Sequence, residues 1–135
     1  MPVLVDTNVL LDVAKDDPRW AEWSLEKLEA LAVADELFVN AVVYAELSIG
    51  FDRIEDVDRL LDAVPAELLS IPAAAAFLAG KAFLAYRRRG GSKTGVLPDF
   101  FIGAHAVVTR SPLLTRDAGR YRSYFPTIEL IAPHG

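Results

Sequence analysis

Pro2-Val3-Leu4-Val5-Asp6-Thr7-Asn8 is a short apolar β-type run that ends on a carboxylate, and Pro112-Leu113-Leu114-Thr115-Arg116-Asp117 has the same design. Working outward from these two strands, Leu37-Phe38-Val39 reads as another, ending at Asn40. Leu68 to Ile71 reads as a weaker third strand, and Ile128 to Ile131 as a fifth. Helical signals fill the gaps. Asn8 to Lys15 follows the first strand, and Trp20, Trp23, Leu28 and Leu31 then form one helical stripe opposite Glu22, Glu26 and Glu29. Ala41 to Ile49 reads as helix up to Gly50, and Asp52 to Val64 as another, stopped by Pro65. Pro72 opens a long Ala-rich helix that runs to Arg87-Arg88-Arg89, where Gly90-Gly91 ends it. Gly90 to Gly95 is a loop, Pro98 starts a helix to about Thr109, and a short helix follows Asp117. Short buried strands alternating with helices predict an α/β protein: a three-layer α/β/α sandwich around a mostly parallel sheet.

The 135 residues fit one domain, 1–135, and a 53% hydrophobic composition supplies its core and excludes intrinsic disorder. The longest apolar stretch, Ile71 to Tyr86, is interrupted by Lys81 and falls short of the roughly 20 residues a membrane span requires. Asp6 lies within the first apolar run, with no basic segment before it, so the N-terminus does not read as a signal peptide. A cytoplasmic location is the expectation. The chain has no cysteine, which removes disulfides, thiolate zinc sites and a cysteine nucleophile.

Net charge of −5 hides an asymmetry. Residues 1–67 carry 16 acidic and 5 basic side chains; residues 68–135 carry 3 acidic and 9 basic ones. The second half could offer a polyanion a basic face through Arg87, Arg88, Arg89 and Lys93, with Arg110, Arg116, Arg120 and Arg122 further on. A solvated helix end plus scattered surface charge, with cations complementing the dipole at the helix C-terminus, is the simpler account of these residues on charge alone.

Sites in open α/β sheets lie beyond the carboxyl ends of the strands, near a topological switch point. Asp6 and Asp117 would meet there if their strands are close in the sheet. Glu46 lies on the helix after the second strand, and Asp99 in the first turn of the helix before the fourth. Four carboxylates drawn together repel, and some stay protonated unless a cation neutralises them. An all-oxygen set suits Mg²⁺ or Mn²⁺ rather than zinc. Helix capping is the competing account of Asp6, Asp99 and Asp117, each near a helix start where a cap contributes roughly 0.5–2 kcal/mol. Glu46 sits among Val42, Val43, Tyr44, Ala45, Leu47 and Ile49, so it is either an exposed-face residue or an ion ligand. Thr7 and Asn8 are either ordinary helix starters or supports for Asp6. His105 stands six positions after Asp99, facing away from it on a helix, and reads as structural. His134 falls in a tail. Ser92-Lys93-Thr94 lacks the glycine of a phosphate loop and follows a helix rather than a strand.

Asp6-Thr7-Asn8-Val9-Leu10-Leu11 resembles the opening motif of PIN-domain ribonucleases, and Glu46-Leu47-Ser48-Ile49-Gly50 their second signature. Pro98-Asp99-Phe100-Phe101-Ile102-Gly103-Ala104-His105-Ala106 is similar to the third. Leu114-Thr115-Arg116-Asp117, with Tyr121 and Phe125-Pro126, is similar to the fourth. Order, spacing and length most resemble the VapC-type toxins of toxin–antitoxin pairs, from about Val3 to Ile131.

The resemblance implies a metal-dependent endoribonuclease with Asp6, Glu46, Asp99 and Asp117 holding Mg²⁺ or Mn²⁺. It implies cleavage of RNA by a metal-activated water, leaving a 5′-phosphate and a 3′-hydroxyl. Thr7, Asn8 and Thr115 match supporting positions. Arg116, beside Asp117, is the basic residue most readily placed near RNA phosphate, with Arg87, Arg88 and Arg89 as further candidates; a salt bridge is an equally simple use of Arg116. A cognate VapB-type antitoxin and a homodimer are the implied partners. Two other readings compete. One is a non-catalytic PIN-like module that binds RNA or protein, with the acids as caps. The other is an aspartyl-phosphate enzyme using Asp6 as nucleophile, which usually wants an acid where Asn8 stands.

Overall fold

The computed structural model describes residues 2–93 and 95–133, so Thr94 and His134 lie outside the described residues. β1 (Val3–Val5) leads into α1 (Thr7–Ala14) and α2 (Ala21–Ala34), and β2 (Leu37–Val39) into α3 (Ala41–Ser48) and α4 (Ile54–Ala63). β3 (Ala66–Leu68) is followed by α5 (Ala73–Arg88) and α6 (Leu97–Thr109). β4 (Leu113–Leu114), α7 (Ala118–Tyr124) and β5 (Leu130–Ile131) complete the order. The strands form one sheet, β3-β2-β1-β4-β5, and every pair is parallel. All residues of β1, β2 and β4 are buried. Because successive strand residues point to opposite faces, helices must cover both sides of the sheet, as the α/β/α expectation requires. Among the described residues no helix is long and apolar enough to cross a membrane.

The third strand departs from the sequence expectation. The weak third strand expected at Leu68 to Ile71 is instead Ala66–Leu68, paired Leu37↔Ala66 through Val39↔Leu68. It lies at the sheet edge, where only Ala66 faces the core and Glu67 and Leu68 are exposed. Register against the three-residue β2 sets its position, and apolar content does not. The fifth strand is likewise shortened to its last two residues, held by Leu113 N–H on Glu129 O (2.9 Å) and Thr115 N–H on Ile131 O (3.0 Å).

α6 is the helix that ties the layers together, with Phe100 and Ile102 through Ala106 buried. Ala75 and Ala79 are the fully buried positions of α5, and their small side chains let α5 approach α6 closely. Gly103 is required on the other flank, because a Cβ there would overlap the buried Phe125 ring. Phe100 stacks on Tyr124 at 4.3 Å between ring centres and meets Phe83 edge-on at 5.7 Å. This packing fixes the start of α6, and with it Asp99, against α7.

Candidate active site

The order β3-β2-β1-β4-β5 means that the chain builds outward from β1 on one side and then crosses to the other. The switch point therefore falls between β1 and β4, at whose carboxyl ends Asp6 and Thr115 stand. Asp6 N–H bonds Leu114 O at 2.9 Å, which locks the two strand ends together. A cavity of about 540 Å³ opens there, lined by Asp6, Glu46, Asp99 and Asp117 with Thr7, Asn8, Leu11, Arg116 and Arg120. The four predicted carboxylates thus share one cavity although they come from four separate segments.

Asp6 is 5% exposed and fully engaged. Oδ1 accepts from Thr7 N–H at 2.7 Å, capping α1, while Oδ2 accepts from the hydroxyls of Thr115 (2.8 Å) and Tyr121 (3.1 Å). Asn8 Nδ2 approaches the same oxygen at 3.3 Å and Thr115 Oγ1 at 3.4 Å. Burial pushes the Asp6 carboxyl up to about 6 against the pull of those donors, and the negative charge of Asp99 adds to the rise. Thr7 turns its hydroxyl the other way, donating to Glu46 Oε1 at 2.6 Å. Thr7 thus hydrogen-bonds Glu46, and Asn8 and Thr115 hydrogen-bond Asp6, at the three positions for which the resemblance implied a supporting role.

Asp99 and Asp117 do not cap their helices. Neither α6 nor α7 has a side-chain cap hydrogen bond; both carboxylates face Arg120 instead. Arg120 Nη1 donates to Asp99 Oδ2 at 2.7 Å, and Nη2 lies 3.2 Å from Asp117 Oδ2. Burial raises the Asp99 carboxyl above its ordinary value; Arg120 opposes this, and Asp117 reinforces it. Among the described residues no three acid or histidine side chains stand as a ready-made metal cage. The acids are gathered in one cavity but not closed on a common point: Glu46 is turned to Thr7, and Asp99 and Asp117 to Arg120. The donor set still fits a hard divalent cation, since every side-chain group the four acids offer the cavity is a carboxylate oxygen.

Three residues take part that the sequence reading gave no role at the site, although it named Arg120 in the basic half and Tyr121 in the fourth motif. Arg120 follows Asp117 by one helical turn, a spacing that signals an ion pair. Tyr121 is buried with its hydroxyl between Asp6 Oδ2 and Asp99 Oδ1, the latter at 3.5 Å. Asp12, 3% exposed, accepts from Arg116 Nε (2.6 Å) and Nη2 (2.8 Å) and from Ser24 Oγ (2.7 Å). Its apolar neighbours Leu10, Leu11 and Val13 form the same pattern that singled out Glu46. Of the two alternatives for Arg116, the structure shows the salt bridge; its guanidinium also lies 5.3 Å from the centre of the Trp20 ring. Arg87, Arg88 and Arg89 are exposed at the end of α5, and none lines the acidic cavity. Arg88 and Arg89 border a separate depression with Lys81, Leu84 and Ala85.

His105 is buried and lies away from the acids. Asn40 caps α3 through Oδ1, which accepts from Val42 and Val43 N–H at 3.0 Å each, so its Nδ2 is the atom 3.1 Å from His105 Nδ1. The ring accepts there and is neutral, with burial lowering its pKa. His105→Leu should therefore cost about 1–3 kcal/mol by stranding a buried donor. A urea melt checks this, and a loss below about 0.5 kcal/mol would remove the structural role.

The sequence profile of the PIN domain family matches residues 3–125. No curated protein matches the chain by sequence. Among solved structures, the chain is similar to VapBC2 from Rickettsia felis bound to a promoter DNA fragment, at 21% identity and a TM-score of 0.74 over 98% of each chain. It is also similar to VapBC-1 from nontypeable Haemophilus influenzae (20% identity, TM-score 0.70, 98% of each chain). A toxin–antitoxin complex from Klebsiella pneumoniae gives 23% identity and a TM-score of 0.66, again over 98% of each. At these identities the likeness is one of fold.

Proposed function

The chain belongs to the PIN domain family, matched over residues 3–125, and on that premise we propose that it is a metal-dependent endoribonuclease of the VapC toxin type. The observation that carries the reading is the gathering of Asp6, Glu46, Asp99 and Asp117 around one cavity at the β1–β4 switch point. Those four would hold Mg²⁺ or Mn²⁺, which when bound makes a water more acidic and stabilises charge at the phosphorus and the departing oxygen. The chain's own part is positioning. Thr115, Asn8 and Tyr121 fix Asp6 Oδ2, and Thr7 orients Glu46. The substrate is RNA, and the products carry a 5′-phosphate and a 3′-hydroxyl. Several of the similar structures are VapBC complexes, which supports a VapB-type antitoxin as partner. A homodimer and a cytoplasmic location complete the proposal.

The second reading is a non-catalytic binding module, favoured by the hold of Arg120 on Asp99 and Asp117. One assay separates the two: total cellular RNA incubated with purified protein in Mg²⁺, Mn²⁺ or EDTA, beside Asp99→Asn. The nuclease yields discrete metal-dependent fragments that the variant does not produce. Fragments of equal yield from Asp99→Asn would end the four-acid assignment at that position.

A further inference from the structure

The acidic cavity holds a positive charge, Arg120, set directly against two of its four acids. Arg120 bridges Asp99 and Asp117 through two different guanidinium nitrogens, at 2.7 and 3.2 Å. Both acceptors belong to the set assigned to the divalent ion, so ion and guanidinium compete for the same oxygens. The Arg120 side chain is 44% exposed over an Asp99 side chain that is 12% exposed, so it reaches the acids from the solvent side. Arg116, which also lines the cavity, is differently placed: Asp12 binds it from outside the metal set, and ion binding would not release it.

We propose that Arg120 is a phosphate-binding residue that shares Asp99 and Asp117 with the divalent ion, turning to the RNA backbone when the ion takes those oxygens. The proposal rests on the metal-nuclease reading above. A compact double charge outcompetes a delocalised single one at hard carboxylate oxygens, and ligation spends the negative charge that held the guanidinium. The freed fork of N–H donors matches two phosphate oxygens and needs no new backbone position, because Arg120 already lines the cavity. The same arginine balances the acids in one condition and recognises substrate in the other.

The test uses the full chain, Mn²⁺ alone as first probe, and then an RNA oligonucleotide containing a cut site mapped in the cleavage assay. Arg120→Gln should bind Mn²⁺ about tenfold more tightly by calorimetry without RNA, since a competitor is gone. It should also raise KM about tenfold while kcat falls by no more than about threefold, with Arg120→Lys recovering part of the KM. Thermal melts of the variants in EDTA confirm folding. Mn²⁺ binding that is unchanged or weaker, or an unchanged KM, overturns the proposal and leaves the nuclease standing. A wild-type protein that neither takes up Mn²⁺ nor cuts RNA overturns the nuclease reading itself, and this inference with it.

Discussion

Asp6→Asn should abolish RNA cleavage and, in EDTA at pH 7.5, make the protein more stable. The wild-type carboxyl is pushed up to about 6 from an ordinary 3.8, chiefly by burial. Between those two values the folded state binds more protons than the unfolded one, so stability falls as pH rises through that window. Below it the group imposes nothing. Above it the full penalty applies, on the order of 3 kcal/mol at about 1.4 kcal/mol per pKa unit. The amide carries no charge to desolvate and can still accept from Thr7 N–H, so the variant should escape most of that penalty at pH 7.5 and gain nothing at pH 3.5. Urea melts at the two pH values check the sign; a variant less stable than wild type at pH 7.5 would mean that Asp6 is not strained by burial. Cleavage should fall by more than about 100-fold, the upper range for losing even an outer partner of a metal ligand. Millimolar Mn²⁺ should raise the melting temperature of wild type and do far less for the variant, because only a site in the folded state draws stability from the ion.

Arg116→Met should be the most destabilising single change at the rim of the cavity. It leaves the Asp12 carboxylate, 3% exposed, with Ser24 as its remaining side-chain donor. Breaking one side of such a pair costs about 3–5 kcal/mol, because the remaining charge is buried without compensation. Removing both charges in Asp12→Leu with Arg116→Met should restore most of the loss, since two apolar groups of similar volume need no partner. The comparison of urea midpoints decides the matter. A single-variant loss below about 1 kcal/mol would place the pair among weak surface bridges.

What the sequence made legible follows from how local each signal is. An apolar run ending in Asp6, and another ending just before Asp117, located the strands and their carboxyl ends, and the strand order then placed both acids at the switch point. Glu46 was visible as an acid among apolar neighbours. The edge strand was not legible, since Ala66–Leu68 takes its position from backbone pairing to β2 and buries one side chain only. Capping remained an open alternative for Asp99 and Asp117 because a helix start and an ion-pair partner look alike in sequence; Arg120 distinguishes them only in three dimensions. The Asp12–Arg116 pair spans 104 positions, beyond any periodicity argument. Tyr121 stood inside a stretch already singled out, but nothing in the order of residues says that its hydroxyl meets Asp6 across 115 positions.

The brevity of the outer strands has a consequence for assembly. Ala66–Leu68 closes one border of the sheet and Leu130–Ile131 the other, so a foreign β-segment could form only two or three rungs at either margin. So short a template resists ladder growth between copies, the route by which open sheets polymerise. Higher-order contacts of any size must therefore be made by helical surfaces, and self-association should remain finite rather than fibrillar.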